Sequence, residues 1–196
     1  MYNNPQQQTG DMRDMKANFN AEIDKIITYL YAGAHWHLRA AAFARKNLIR
    51  GFGRWHCAEA KGDSCALEKL EKIIGDKLGY IPTVDMNIVS RAEAYTMPDM
   101  NAFKMHFDIW EKNEKELIEC LNEAIHMARK IDIQIYQELI CLEKEVQDEM
   151  MRARMAKESL AFAGWNPHDT SVKSKWIHEY FEHEHEPGGE ININLG

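Results

Sequence analysis

Proline is scarce in this chain and spaced so widely that long helices can form. The 196 residues include five prolines, and none lies between Pro5 and Pro82 or between Pro98 and Pro167. These stretches are rich in Ala, Leu, Glu, Lys and Met, which have high helix propensities. No segment alternates apolar and polar residues with a period of two. The sequence therefore predicts an all-α protein with essentially no sheet.

Glycine and proline divide the chain into four long predicted helices, at residues 14–47, 52–78, 98–129 and 132–163. Short turns join the first helix to the second and the third to the fourth. The connection over 79–97 is too long for a hairpin turn, and its "NIVSRAEA" stretch predicts one short helix. Two hairpins joined by a single long crossover form a ferritin-like four-helix bundle.

The predicted bundle occupies residues 14–163, between two terminal segments. Residues 1–13 are expected to form a flexible tail. Residues 164–196 are expected to form an extension, with a short helix at "SVKSKWIHEYFEHE" and a tail rich in His and Glu.

Charge and cysteine usage restrict the class of protein. The net charge is −7, and the N-terminal tail carries only Arg13 and Lys16, which argues against nucleic-acid binding. The apolar runs are too short to cross a membrane, and the N-terminus has no basic-then-apolar leader. Four cysteines without CxxC spacing are expected to be reduced thiols in a cytoplasmic protein.

Ionisable residues interrupt the apolar stripes of all four predicted helices. Unpaired buried carboxylates are costly, and no Lys or Arg lies beside these acids at mid-bundle. Oxygen-rich ligand sets with some imidazole suit Fe(II) or Mn(II). We therefore predict that iron, or else manganese, binds inside the bundle. The candidate ligands are Glu114, Asp63, Glu59, Glu149, His56 and His37.

Structural interpretations of the same residues remain open. His37 could be a core histidine whose nitrogens bond to nearby oxygens. One of Glu59 and Asp63 could be solvated at the bundle edge, and the spacing of His56 relative to these acids is common by chance.

A second stripe on the first helix predicts self-association. Residues two apart on a helix point to nearly opposite sides, so His35 and His37 cannot share a face. Tyr29, Trp36 and Phe43 lie roughly opposite the core stripe. A row of aromatic side chains on a second face is typical of a partner surface. We expect a homo-oligomer that forms through this face, with His35 beside the contact.

Over residues 18–163 the chain resembles the ferritin superfamily. "GFGRWHCAEAKGDSCALEKL" is similar to the second helix of bacterial ferritins in its length and in several residues. The ferritin Glu-x-x-His motif corresponds here to Asp63-Ser64-Cys65-Ala66, and the first-helix glutamate to Leu30 or its neighbour. The matched residues of the second helix are Gly51, Phe52, Trp55, Lys69 and Leu70.

A second stretch, "AHWHLRAAAF", is similar to the His-Trp stretch of Dps-type mini-ferritins. In that type, the histidine before the tryptophan helps to bind iron between two subunits. The matching residue in this chain is His35, so the resemblance implies an inter-subunit metal site there.

Three functions follow from these features. The first is an iron-binding protein of the ferritin type, with slow or absent ferroxidase activity and a role in iron storage or protection from oxidative stress. The second is a metal-free ferritin-like scaffold that acts by self-assembly or partner binding. The third is a carboxylate-bridged oxidase acting on an organic substrate, for which no substrate-specific feature is visible.

Overall fold

A computed structural model describes residues 5–46, 50–94 and 103–162, with side chains over 12–46, 51–90 and 106–158. Within these ranges every regular element is a helix, which confirms the predicted all-α class. No helix in the described ranges is long and apolar enough to cross a membrane. The helices are α1 (Pro5–Lys46), α2 (Arg50–Leu78), α3 (Met86–Ala94), α4 (Phe103–Ile131) and α5 (Ile133–Phe162).

Local sequence signals fix the helix ends. Gly79 takes a positive φ of 62° after α2, a conformation that glycine adopts without strain, and its N–H bonds to the carbonyl of Gly75. Asp132 caps α5, because its Oδ1 accepts hydrogen bonds from the N–H groups of Gln134 and Ile135 at 2.8 and 3.1 Å. α3 lies inside the crossover, where "NIVSRAEA" predicts it.

The four long helices pack as two hairpins. α1 packs along α2, and α4 packs along α5. α1 also contacts α4 and the crossover helix α3, whereas α2 and α5 approach each other over only a short stretch. The crossover is held against α1, since Tyr80 Oη donates to the Asp24 carboxylate and Asp85 N–H donates to Thr28 Oγ1.

Two apolar clusters fill the bundle, one above the other. The larger contains residues 19–30 of α1, 70–74 of α2, 117–128 of α4 and 135–146 of α5. The smaller contains residues 36–44, 52–55, 107–110 and 153–156 of the same four helices. The segments between them on each helix, together with His37 at the edge of the smaller cluster, therefore form a layer across the middle of the bundle.

Two expectations need correction. α1 begins at Pro5 rather than at residue 14, and proline is well tolerated in the first turn of a helix. The prediction that Trp36 points outward was wrong, because Trp36 is only 3% exposed, stacks on His106 of α4 and contacts the tilted ring of Trp110 on the same helix. Tyr29 and Phe43 are half-buried. The predicted extension at 164–196 lies outside the described residues.

Candidate metal centre

The layer between the two apolar clusters is polar, and every long helix contributes an ionisable residue to it. α1 contributes His37, α2 contributes Glu59 and Asp63, α4 contributes Glu114, and α5 contributes Glu149. His37, Glu114 and Glu149 are buried. The first two follow the core stripes of their helices, as the sequence predicts.

Three of these residues form a compact group of donor atoms. One ligand atom each from His37, Glu114 and Glu149 lies within 4.8 Å of the other two. The group combines one imidazole nitrogen with carboxylate oxygens from two different helices. This donor chemistry suits Fe(II) and Mn(II).

One ring nitrogen of His37 lies within this group of donor atoms and has no hydrogen bond. Its Nε2 lies 3.1 Å from Glu149 Oε1, which is within ion-pair distance. The angles do not make that contact a hydrogen bond, and Nε2 is a buried polar atom without a hydrogen-bond partner. Buried polar atoms are rarely left in this condition. A lone pair on Nε2 directed at two carboxylates fits a cation between them.

Asp63 reaches the layer through a gap in α1. A Cβ atom added to Gly33 would lie 2.7 Å from Asp63 Oδ2, closer than real Cβ contacts come. Glycine at this position therefore lets the α2 carboxylate approach the α1 backbone. The charges of Glu149 and His37 act on Asp63, so this carboxylate belongs to the same charged layer.

Glu59 occupies the outer edge of the layer. Its Oε1 accepts a hydrogen bond from Trp55 Nε1 at 2.7 Å and contacts Arg152 Nη2 at 3.2 Å. A second tryptophan acts in the same way further in, since Trp110 Nε1 donates to Glu149 Oε1 at 3.0 Å. The two indole N–H groups orient carboxylates that would otherwise rotate freely.

The four carboxylates repel one another. Burial first, and then the charges of Glu149, Asp63 and Glu59, raise the pKa of Glu114 well above its usual value. Burial and the charge of Glu149 raise the pKa of Asp63 in the same way. The pKa of Glu59 is also raised by burial and Glu149, although Arg152 opposes that shift. A bound cation would relieve this repulsion.

The same acids also raise the pKa of His37, but for an imidazole this shift favours the charged form. Burial, the largest single effect, lowers its pKa, but the contact with Glu149 and the charges of Asp63 and Glu59 together raise the pKa above the usual value. The acids therefore favour positive charge at this position, whether as a proton on the imidazole or as a cation beside it.

Two further histidines lie behind His37 and away from the acids. His37 Nδ1 is 2.7 Å from His56 Nδ1, and His56 Nε2 is 3.1 Å from His106 Nε2. All three rings are buried. Both nitrogens of His56 therefore face other histidines, and His56 is not a member of the compact donor group.

Two cavities lead to the acidic layer from opposite sides of the bundle. One, of about 210 Å³, lies between α1 and α4 and is lined by His37, Asp63 and Glu114. The other, of about 230 Å³, lies between α2 and α5 and is lined by Glu59, Asp63 and Glu149. The short contact between α2 and α5 leaves room for the second cavity.

His35 lies apart from this layer. Its ring is half-buried and packs against Tyr31, with ring centroids 4.7 Å apart. His35 is not a member of the compact donor group. The inter-subunit site implied for His35 stays a prediction.

Sequence reasoning missed His106, the two indole donors and the role of Gly33. His106 had a detectable signal, because it lies four residues before Trp110 and eight before Glu114 on the same face of α4. The indole bonds and the close approach at Gly33 have no sequence signature. They depend on how neighbouring helices meet.

Comparisons with known proteins show the fold. No family model and no curated protein sequence matches this chain. Its structure is similar to an open-pore ferritin from the hyperthermophilic archaeon Archaeoglobus fulgidus and to an engineered closed form of that ferritin. The TM-scores are 0.63 and 0.62, each with 15% identity over 82% of this chain and 94% of the other. The chain therefore has the ferritin-like fold that the sequence predicts.

Proposed function

We propose that this protein binds Fe(II) as a substrate in the polar layer of its bundle and oxidises it slowly. The observation that carries the proposal is the buried, unpartnered Nε2 of His37, which faces Glu114 and Glu149. Buried carboxylates that repel one another in this way are costly unless cations bind between them. Manganese fits the same donor atoms.

The residues would act by binding and by charge. His37, Glu114 and Glu149 would hold one ion, and Asp63 and Glu59 of the same layer are candidates for holding a second. Each Fe(II) would give one electron to dioxygen or peroxide, and the carboxylates would favour the more highly charged Fe(III) that forms. The indole N–H groups of Trp55 and Trp110 would keep two of the acids in place.

The origin of the imidazole sets this chain apart from the ferritin motif. The motif positions on α1 and α2 hold Leu30 and Ala66, which supply no ligand. His37, one helix away from Ala66, supplies an imidazole instead. With fewer acidic ligands to offset dehydration of the ion, we expect oxidation to be slower than in a full ferritin centre.

Elemental analysis and Fe(II) oxidation test this function. Wild type, Glu114→Gln, His35→Ala and the control Glu119→Gln, which changes an exposed acid on the same helix, are loaded anaerobically with Fe(II) and desalted. We expect iron to remain on wild type and on Glu119→Gln, and to fall to the background level in Glu114→Gln. On admission of air, wild type should form Fe(III) faster than the protein-free control.

Other outcomes would favour the other candidates. Loss of iron only in His35→Ala would favour an inter-subunit site of the mini-ferritin type. Iron content and oxidation at the protein-free level in all four proteins would favour the metal-free scaffold.

We also propose that the protein self-associates, stores iron or protects against oxidative stress, and resides in the cytoplasm. The ferritin-like fold and the four free cysteines support these proposals. Because Trp36 packs inside its own bundle, the subunit contact cannot depend on that side chain in the way predicted. Sedimentation velocity tests the association, and a monomer at micromolar concentration would contradict it.

A further inference from the structure

The three buried histidines form a hydrogen-bonded chain that starts at the acidic layer. It runs from His37 through His56 to His106, with N···N distances of 2.7 and 3.1 Å. Aromatic rings pack against the far end of the histidine chain. His106 stacks on Trp36 with ring centroids 4.3 Å apart, and the rings of Phe52 and His56 meet edge to face with centroids 4.2 Å apart.

Counting hydrogens restricts how this chain can be arranged. A neutral imidazole carries one N–H and one acceptor nitrogen. His56 uses one nitrogen towards His37 and the other towards His106, so it donates to one of them and accepts from the other. Both hydrogen bonds must therefore run in the same direction along the chain.

Only one of the two directions suits a metal ligand. If the bonds run from His106 to His37, then His37 accepts at Nδ1, and its own hydrogen lies on Nε2, facing Glu149. If they run from His37 to His106, the hydrogen lies on His37 Nδ1, and Nε2 has a free lone pair. A metal ion requires the lone pair.

We propose that His56 and His106 are positioning residues that hold His37 as the Nδ1–H tautomer, so that its Nε2 can bind a divalent cation between Glu114 and Glu149. This inference rests on the proposed metal binding. In this arrangement His37 donates to His56 Nδ1, and His56 donates from Nε2 to His106 Nε2. Neither positioning residue touches the cation.

The surroundings support a chain of neutral rings. His56 and His106 are buried among Trp36, Phe52 and Trp110, which offer aromatic faces and edges. Both rings are buried, and the groups packed on them are aromatic rings together with the neighbouring histidines of the chain. A neutral His56 is what the hydrogen count requires.

Histidine nitrogen spectroscopy tests the tautomers directly. The full-length protein, labelled with ¹⁵N, is loaded with Zn²⁺, which is diamagnetic and accepts the same donor atoms. Long-range ¹H–¹⁵N spectra distinguish a nitrogen that carries hydrogen from one that does not. We expect hydrogen on His37 Nδ1, with Zn²⁺ on its Nε2, and hydrogen on His56 Nε2. Hydrogen on His56 Nδ1 in the Zn²⁺-loaded protein would overturn the proposal.

Substitutions of His106, at the far end of the histidine chain, provide a second test. His106→Phe keeps a ring against Trp36 but removes the acceptor for His56. We expect Zn²⁺ affinity, measured by isothermal titration calorimetry, to fall about 10- to 100-fold, as for other residues that support a metal-bound histidine. His106→Gln offers an amide oxygen as acceptor and should restore most of the affinity. Phe52→Leu removes ring contacts with His56 and His106 but leaves both hydrogen bonds of the histidine chain in place, so it should lower the melting temperature and leave affinity unchanged.

The results separate this inference from the function on which it rests. Wild-type protein that binds neither Zn²⁺ nor Fe(II) would overturn both. Normal Zn²⁺ binding, with His106→Phe losing no more affinity than Phe52→Leu, would overturn only the positioning role. If His106→Phe does not fold, the spectra of the wild-type protein still decide the tautomers.

Discussion

At the scale of single residues, Gly33 shows how the acidic layer depends on a missing side chain. It lies within a helix, where glycine costs about 1 kcal/mol relative to alanine. The benefit is space, because a Cβ here would meet Asp63 Oδ2 at 2.7 Å. Local helix stability and the position of the carboxylate therefore oppose each other at this residue.

We predict that Gly33→Ala separates stability from metal binding. The substitution should raise helix propensity by about 1 kcal/mol while it pushes Asp63 out of the layer. We expect weaker binding of Fe(II) or Zn²⁺ by calorimetry, with little loss of melting temperature. The control is Gly75→Ala, because nothing lies within 4 Å of the added Cβ there. Equal affinity in both variants would show that Asp63 does not contribute to binding.

At the scale of elements, α1 is the helix with the most neighbours. It packs against α2, α3 and α4, so its buried surface extends well beyond one stripe. Trp36 belongs to the part that faces α4, where its ring stacks on His106 at 4.3 Å. A second aromatic stripe on a bundle helix can thus be a second intramolecular contact instead of a subunit interface.

We predict that Trp36→Ala destabilises the single chain. Removing a buried tryptophan typically costs about 3–5 kcal/mol, because a cavity remains. Leu38→Ala on the same helix is the matched control. Leu38 is 52% exposed, so the change should alter the free energy of unfolding by less than about 0.5 kcal/mol. Urea denaturation measures both, and a cost for Trp36→Ala no greater than that for Leu38→Ala would refute the packing role.

At the scale of the whole molecule, the polar layer makes stability depend on pH in two opposite ways. Glu114 and Asp63 have raised pKa values in the fold, whereas their usual values are 4.5 and 3.8. Above pH 4.5 the folded state therefore binds more protons than the unfolded state. The free energy of unfolding consequently falls as pH rises through the folded pKa values. The lowered pKa values of His56 and His106 act in the other direction, because burying them charged is costly. Their effect reduces the stability of the fold as pH falls below 6.5.

We predict that Glu114→Gln stabilises the metal-free protein at high pH. Glutamine mimics the protonated acid, so the two proteins should melt alike near pH 4.5, and the variant should melt higher by an amount that grows towards pH 8. Thermal melts in the presence of a chelator measure this difference. Glu119→Gln, at an exposed position on the same helix, should show no such growth. A difference that is constant with pH would mean that Glu114 does not ionise with the layer.

The sequence by itself determined the helices, the two hairpins and the crossover, because proline spacing, helix caps and apolar periodicity are local signals. It also identified His37 and Glu114 as inward residues, since an ionisable side chain on an otherwise apolar stripe needs only the helical period to be recognised. Glu149, beside its stripe, was found as a candidate for the same reason.

Only the tertiary structure decided how these residues combine. Whether His56 is a ligand or supports one depends on which ring nitrogen faces which neighbour, and that is set where α1, α2 and α4 meet. The inward position of Trp36, the part played by His106 and the need for glycine at position 33 follow from the same contacts. A periodic pattern gives the direction of a side chain from its own helix axis, whereas its partners depend on the distances and rotations between helices.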